Sequence, residues 1–132
     1  MPVLLAFGDS NTHGSPPVVE RGAPGRYDAA TRWPTRAAAA LGWGLVEEGL
    51  PGRTAQWDDP TRGYFMNGFV GLQIALTSHW PLDAMVLMLG TNDVKDRFCA
   101  TPEAVTGGIA GLIDLVQGAE MSARHPGLKV LL

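Results

Sequence analysis

A chain of 132 residues that is 45% hydrophobic can bury one core of useful size and is too short for two, so a single domain spanning residues 1–132 is expected. Ten Lys+Arg against thirteen Asp+Glu leave a formal charge of −3, spread without a basic block or an aromatic-studded cationic stripe, which argues against nucleic acid as a partner.

Residues 3–7, Val-Leu-Leu-Ala-Phe, are apolar at consecutive positions, so both faces of the extended segment are covered and a central parallel strand is predicted. No basic region precedes this stretch, and it is too short to serve as a signal peptide or membrane span, so a cytoplasmic protein with no membrane partner is expected. Residues 11–31 follow as an irregular stretch, and residues 33–41 form a helix ended by Gly42. Residues 45–48 are a weaker strand. A second irregular stretch covers residues 53–66, rich in Pro, Gly, Arg and Asp; loops of this length are usually functional or mobile.

Phe69, Leu72 and Leu76 make a helical stripe behind Asn67, and residues 84–89 are another doubly covered strand. Thr101-Pro102-Glu103 supplies a cap, a first-turn proline and a first-turn acid to a helix whose apolar stripe is Val105, Ile109, Leu112, Ile113 and Val116. Residues 128–132 read as a fourth strand. Strands alternating with helical crossovers describe an α/β fold, a doubly wound parallel sheet of flavodoxin-like, three-layer αβα type. The single cysteine, Cys99, excludes an internal disulfide and is expected to pack as a small hydrophobe.

Right-handed crossovers bring the carboxyl ends of all strands to one edge of such a sheet. Gly8-Asp9-Ser10-Asn11, Gly49-Leu50-Pro51-Gly52-Arg53-Thr54 and Gly90-Thr91-Asn92-Asp93 each follow a strand and are therefore expected to converge there. A hydroxyl, a glycine whose N–H can be closely approached and a side-chain amide suit acyl transfer, as nucleophile and oxyanion donors.

With these three segments the chain resembles the SGNH/GDSL hydrolases over essentially all its length, and more narrowly the arylesterase and acyltransferase branch. The resemblance implies Ser10 as catalytic nucleophile through an acyl-serine intermediate, with Ser10, Gly52 and Asn92 forming the oxyanion hole. It implies a small ester substrate, either hydrolysed or used to transfer its acyl group, and no cofactor. Relatives of this branch commonly assemble as homo-oligomers whose loops narrow the active-site mouth, a role open to residues 11–31 or 53–66. Substrate-pocket positions fall on Asn11, His13 and Asp93.

The resemblance also implies an Asp-x-x-His pair supplying the catalytic base, and no Asp-x-x-His occurs in the sequence; the catalytic His and Asp are therefore expected to be absent from this chain. His79 and His125 precede strands and are expected at the surface, away from the site. His13, three residues after Ser10, is read as a pocket wall with no evident carboxylate to orient it. Residues 128–132 would form a strand with no helix after it, which suggests a C-terminally incomplete domain lacking its last strand and helix, inactive as a 132-residue piece.

Asp9 is expected to cap backbone N–H groups, and Asp58-Asp59 to form a solvated turn before Pro60. No His/Asp/Glu spacing suggests a metal. Two rival readings share the sheet: a non-catalytic ligand-binding module, and a flavin- or nucleotide-binding domain, the latter lacking a phosphate-binding glycine-rich turn.

Overall fold

The computed structural model describes residues 1–18, 20–22 and 25–132. Its strands are β1 (Val3–Gly8), β2 (Gly44–Gly49), β3 (Ala84–Met88) and β4 (Lys129–Leu131), all parallel and ordered β2-β1-β3-β4. The helices are α1 (Ser10–His13), α2 (Trp33–Leu41), α3 (Gly68–Ser78), α4 (Pro102–Gln117) and α5 (Ala119–Arg124). The α/β reading and its four strands hold, with β1 and β3 central as their uninterrupted apolar runs require.

Strand order fixes the layers. From β1 the chain steps outward to β2, then back across β1 to β3 and on to β4, so right-handed crossovers place α2 on one face and both α3 and α4 on the other. Register agrees: Leu5, Phe7, Met85 and Leu87 share a face and meet Leu72, Ala75 and Leu76 of α3 and Leu112 and Val116 of α4 in the main core. On the opposite face Arg32, at the start of α2, pairs with Glu47 of β2 at 2.9 Å. Beyond that helix the same face is less covered, and Met88 and Leu131 are exposed.

The helix ends follow their local signals. Asn67 accepts from the Phe69 N–H to start α3, Thr101 accepts from the Ala104 N–H to start α4, and Gly42 ends α2 in the left-handed region. The short helix α1 was not visible as a periodic stripe, because four residues are too few to carry one; Asp9 caps it.

Two expectations about burial are corrected here. His125 is buried, its Nδ1 accepting from the Leu82 N–H at 3.1 Å and its Nε2 lying 2.8 Å from the Leu76 carbonyl. The imidazole ties the end of α3 to the entry of β3, pairing with a carbonyl of the last turn of α3 and an N–H of the connection into β3. His125→Ala is expected to destabilise the fold by about 1–3 kcal/mol, read as a lower urea midpoint at unchanged slope. Cys99 errs in the other direction: it is exposed, ending the turn Asp96–Phe98 at φ +47° with its thiol donating to the Asp96 carbonyl.

Candidate active site

The three segments meet at the carboxyl edge of the sheet and are stitched together by hydrogen bonds. The Leu50 N–H donates to the Gly8 carbonyl at 3.1 Å, joining the ends of β1 and β2. Asn92 reaches both, its Nδ2 donating to the Arg53 carbonyl at 3.0 Å and lying 3.5 Å from Asp9 Oδ2. The first of these bonds holds the amide; the second is long, so the proton directed that way is weakly committed.

Ser10 is the first residue of α1 and partly exposed. A helix leaves its first N–H groups without intrahelical acceptors, so the Ser10 N–H is free to meet a ligand. Asp9 sits beneath it, buried, with Oδ1 accepting from the Asn11 N–H at 2.9 Å. Burial pushes the Asp9 carboxyl up, against the Asn11 N–H and the Arg53 guanidinium, which pull it down. Its geometry is that of a cap.

Gly52 has φ +92°, a region that side chains rarely adopt, and a Cβ there would run into the Arg62 guanidinium and Met66 Sδ. Gly8 is constrained from the other side: a Cβ would lie 2.7 Å from the Met88 carbonyl oxygen, so the turn into Ser10 passes β3 at a distance only glycine permits.

Arg53 went unrecognised within what looked like an irregular, polar loop. It is 5% exposed, its guanidinium 4.2 Å from the Phe7 ring centroid and donating to the carbonyls of Gly8 and Glu48. Burial lowers its pKa, with Glu48 opposing. Side chain and carbonyl together brace the ends of β1 and β2 and the Asn92 amide. Only the adjacency Gly-Arg-Thr hinted at this, since sequence gives a loop arginine and a buried one the same appearance.

Asp93 does not occupy the pocket-lining place expected of it. It is fully buried, and both its oxygens lie 3.1 Å from the Ala55 N–H. Burial raises its carboxyl, the Ala55 N–H lowers it and the Asp9 charge raises it further. Asn11, by contrast, is exposed beside Ser10. His13 lines a cavity of about 690 Å³ with Pro16, Pro51 and Arg62, its Nδ1 3.3 Å from the Gly49 carbonyl and with no hydrogen bond to Ser10 among the described residues. The stretch 11–31 expected to narrow a mouth includes residues 19, 23 and 24, which lie outside the described ones.

Asp59 corrects the solvated-turn expectation. It is 2% exposed, accepting from the N–H groups of Thr61 and Arg62 and from Arg97 Nη2 at 2.7 Å, while its neighbour Asp58 stays exposed. Burial alone would raise the Asp59 carboxyl, but Arg97 and the two N–H groups outweigh it and hold it below the ordinary aspartate value of 3.8. A carboxyl lowered in the folded state stabilises the fold above that ordinary value, and the contribution is lost as pH falls through the lowered one. Arg97→Met is expected to raise the Asp59 pKa in a carbon-detected NMR titration and to move the acid-side loss of structure to higher pH.

Among the described residues no group of three His, Cys, Asp or Glu is placed to hold a metal ion, and no helix is long and apolar enough to cross a membrane.

Residues 6–132 match the family model of GDSL-like lipases and acylhydrolases. The chain belongs to this family. Among solved structures it is similar to Est24, a carbohydrate acetylesterase from Sinorhizobium meliloti, at 40% identity and a TM-score of 0.83 over 98% of this chain and 62% of that one. It is also similar to the inhibitor-bound aryl esterase of M. smegmatis, at 38% identity and a TM-score of 0.89 over 98% and 62%. A third likeness is to a putative arylesterase from Agrobacterium tumefaciens, at 36% identity and a TM-score of 0.83 over 98% and 62%. The chain therefore spans about 62% of the length of these GDSL relatives. No curated protein sequence matches it.

Proposed function

We propose that Ser10 is the nucleophile of an esterase or acyltransferase that takes small acyl groups from esters through an acyl-serine intermediate. The observation that carries this reading is the Asn92 amide, which ties the segment bearing Ser10 to the segment bearing Gly52 at one sheet edge. Attack of Ser10 Oγ on the ester carbonyl forms the Oγ–C bond and moves negative charge onto the carbonyl oxygen. The N–H groups of Ser10 and Gly52 and the Asn92 amide are the donors for that oxygen. Collapse of the tetrahedral species expels the alkoxide, which takes up a proton; water or an acceptor alcohol then releases the acyl group.

The Ser10 hydroxyl needs a base to accept its proton. His125 is held in backbone hydrogen bonds at the amino end of β3, His79 lies just beyond α3, and His13 faces Gly49. In this reading the base comes from outside residues 1–132, and the activity belongs to the intact gene product that contains them.

A fluorophosphonate tests the assignment, because the serine oxygen displaces fluoride and leaves a stable phosphonyl ester. Peptide mapping of the labelled intact gene product is expected to place the adduct on Ser10. An adduct on another serine, or none, overturns the reading.

A further inference from the structure

Two turns flank the proposed oxyanion hole, and one buried carboxylate joins them. Asp59 accepts from the backbone of Thr61 and Arg62 through Oδ1 and from Arg97 through Oδ2, so the turn bearing Arg62 is tied to the segment bearing Lys95 and Arg97. Arg62 Nη1 donates to the Pro51 carbonyl at 3.1 Å, and its guanidinium fills the place that a Cβ on Gly52 would take. Lys95 approaches from the other strand end, its N–H donating to the Asn92 carbonyl at 3.2 Å. Arg62 and Lys95 therefore stand beside Gly52 and Asn92, the two donors that come from outside the Ser10 turn.

These cations are not neutralised locally. Arg97 is paired with Asp59, while Arg62 and Lys95 have no salt bridge among the described residues. Burial and the neighbouring Arg97 and Arg62 guanidiniums push the Lys95 ammonium down, against Asp59 and Asp9, which places these groups within reach of one another's fields. Glu20 is the one carboxylate among the described residues lining the adjoining cavity, and it lies exposed. Asp9 is buried beneath the serine turn with its carboxylate turned to the Asn11 N–H and toward the Asn92 amide. Arg62 thus lines the cavity beside Gly52, and Lys95, three residues after Asn92, adds a second like charge close enough to feel it. Such charges repel each other and are stabilised together by an anion placed between or beside them.

We propose that Arg62 and Lys95 form a cationic rim that selects esters carrying a carboxylate. This deepens the esterase reading and rests on it. The carboxylate could enter on the leaving group or on the acyl chain, since both pass the oxyanion hole, and the test separates the two.

Four esters of known charge serve as probes of the intact gene product: 4-acetoxybenzoate against its neutral methyl ester, and the monophenyl ester of adipic acid against its methyl phenyl diester. The first pair places the carboxylate on the leaving group, the second on the acyl chain. At low salt the anionic member of at least one pair is expected to show the higher kcat/KM. Arg62→Gln and Lys95→Gln should each lower that anionic-to-neutral ratio by about 2- to 5-fold, the scale of a partly solvated charge pair, and about 0.5 M salt should shrink it in the parent protein. Both substitutions keep long polar side chains at exposed or partly exposed positions, and unchanged thermal midpoints verify that the fold is intact.

Turnover of the neutral esters with anionic-to-neutral ratios that neither substitution nor salt changes would overturn the rim while leaving the esterase intact. Absence of turnover on all four esters would overturn both readings.

Discussion

Replacing Ser10 by alanine in the intact gene product is expected to reduce hydrolysis of p-nitrophenyl acetate by about 10⁴- to 10⁶-fold. Loss of the serine oxygen removes the atom that forms the covalent bond, and what survives is the contribution of the oxyanion donors and binding alone. Ser10 is partly exposed at the first position of a helix four residues long, and its hydroxyl makes no hydrogen bond among the described residues, so the substitution leaves no buried polar group unpaired. The fold should be retained, with thermal midpoints of the two proteins agreeing within about a degree, since surface substitutions usually lie within ±0.5 kcal/mol. Turnover within tenfold of the parent would mean that another residue carries the acyl group.

Asn92→Ala carries the second largest expected effect, about 10²- to 10³-fold in kcat with a smaller change in KM, because an oxyanion donor acts on charge that appears only in the transition state. This substitution also removes a structural bond. Asn92 is 6% exposed and its Nδ2 satisfies the Arg53 carbonyl, so some loss of stability, about 1–3 kcal/mol, is expected alongside the loss of rate. Asn92→Asp removes the same donors without removing bulk. The carboxylate keeps the size of the side chain but replaces its N–H donors by acceptors and brings a second negative charge toward Asp9 Oδ2, now 3.5 Å from the amide. If Asn92 is an oxyanion donor, the Asp variant should be at least as slow as the Ala variant. A KM increase with kcat unchanged in both would instead assign Asn92 to uniform substrate binding.

Glycine at position 52 bears on the same site for a backbone reason. At φ +92° any side chain is strained, and the space it would need is already held by Arg62 and Met66. The residue that best fits an N–H donor at this turn is also the one that lets a cation approach it closely.

Much of the framework was legible along the chain. The uninterrupted apolar runs at the start of the chain and before Gly90 marked β1 and β3 as central, and they are. Asn67, Thr101 and Gly42 announced helix boundaries by chemistry that acts within three or four residues. Strand alternation with crossovers then implied that three separated polar segments share one edge, and Asn92 does touch the other two. These inferences succeeded because each depends on short-range periodicity or on a handedness rule that holds for the fold as a whole.

What failed depended on partners distant in sequence. Asp59, Asp93, Arg53 and His125 are polar residues that sequence reading assigns by default to turns, pocket walls or surfaces, and all four are buried. Each is buried because a group 38 or more residues away completes its hydrogen bonding: Arg97 for Asp59, the Ala55 N–H for Asp93, the Gly8 carbonyl for Arg53, the Leu82 N–H for His125. The cost of burying a polar group is cancelled only by a partner in place, and nothing local announces that partner. The amino-acid sequence by itself thus determined the strands, the helix boundaries and the residue types available for attack and oxyanion binding. Only the tertiary structure decided which charges are buried beneath those groups and which, such as Arg62, line the cavity beside them, because that choice belongs to contacts between segments.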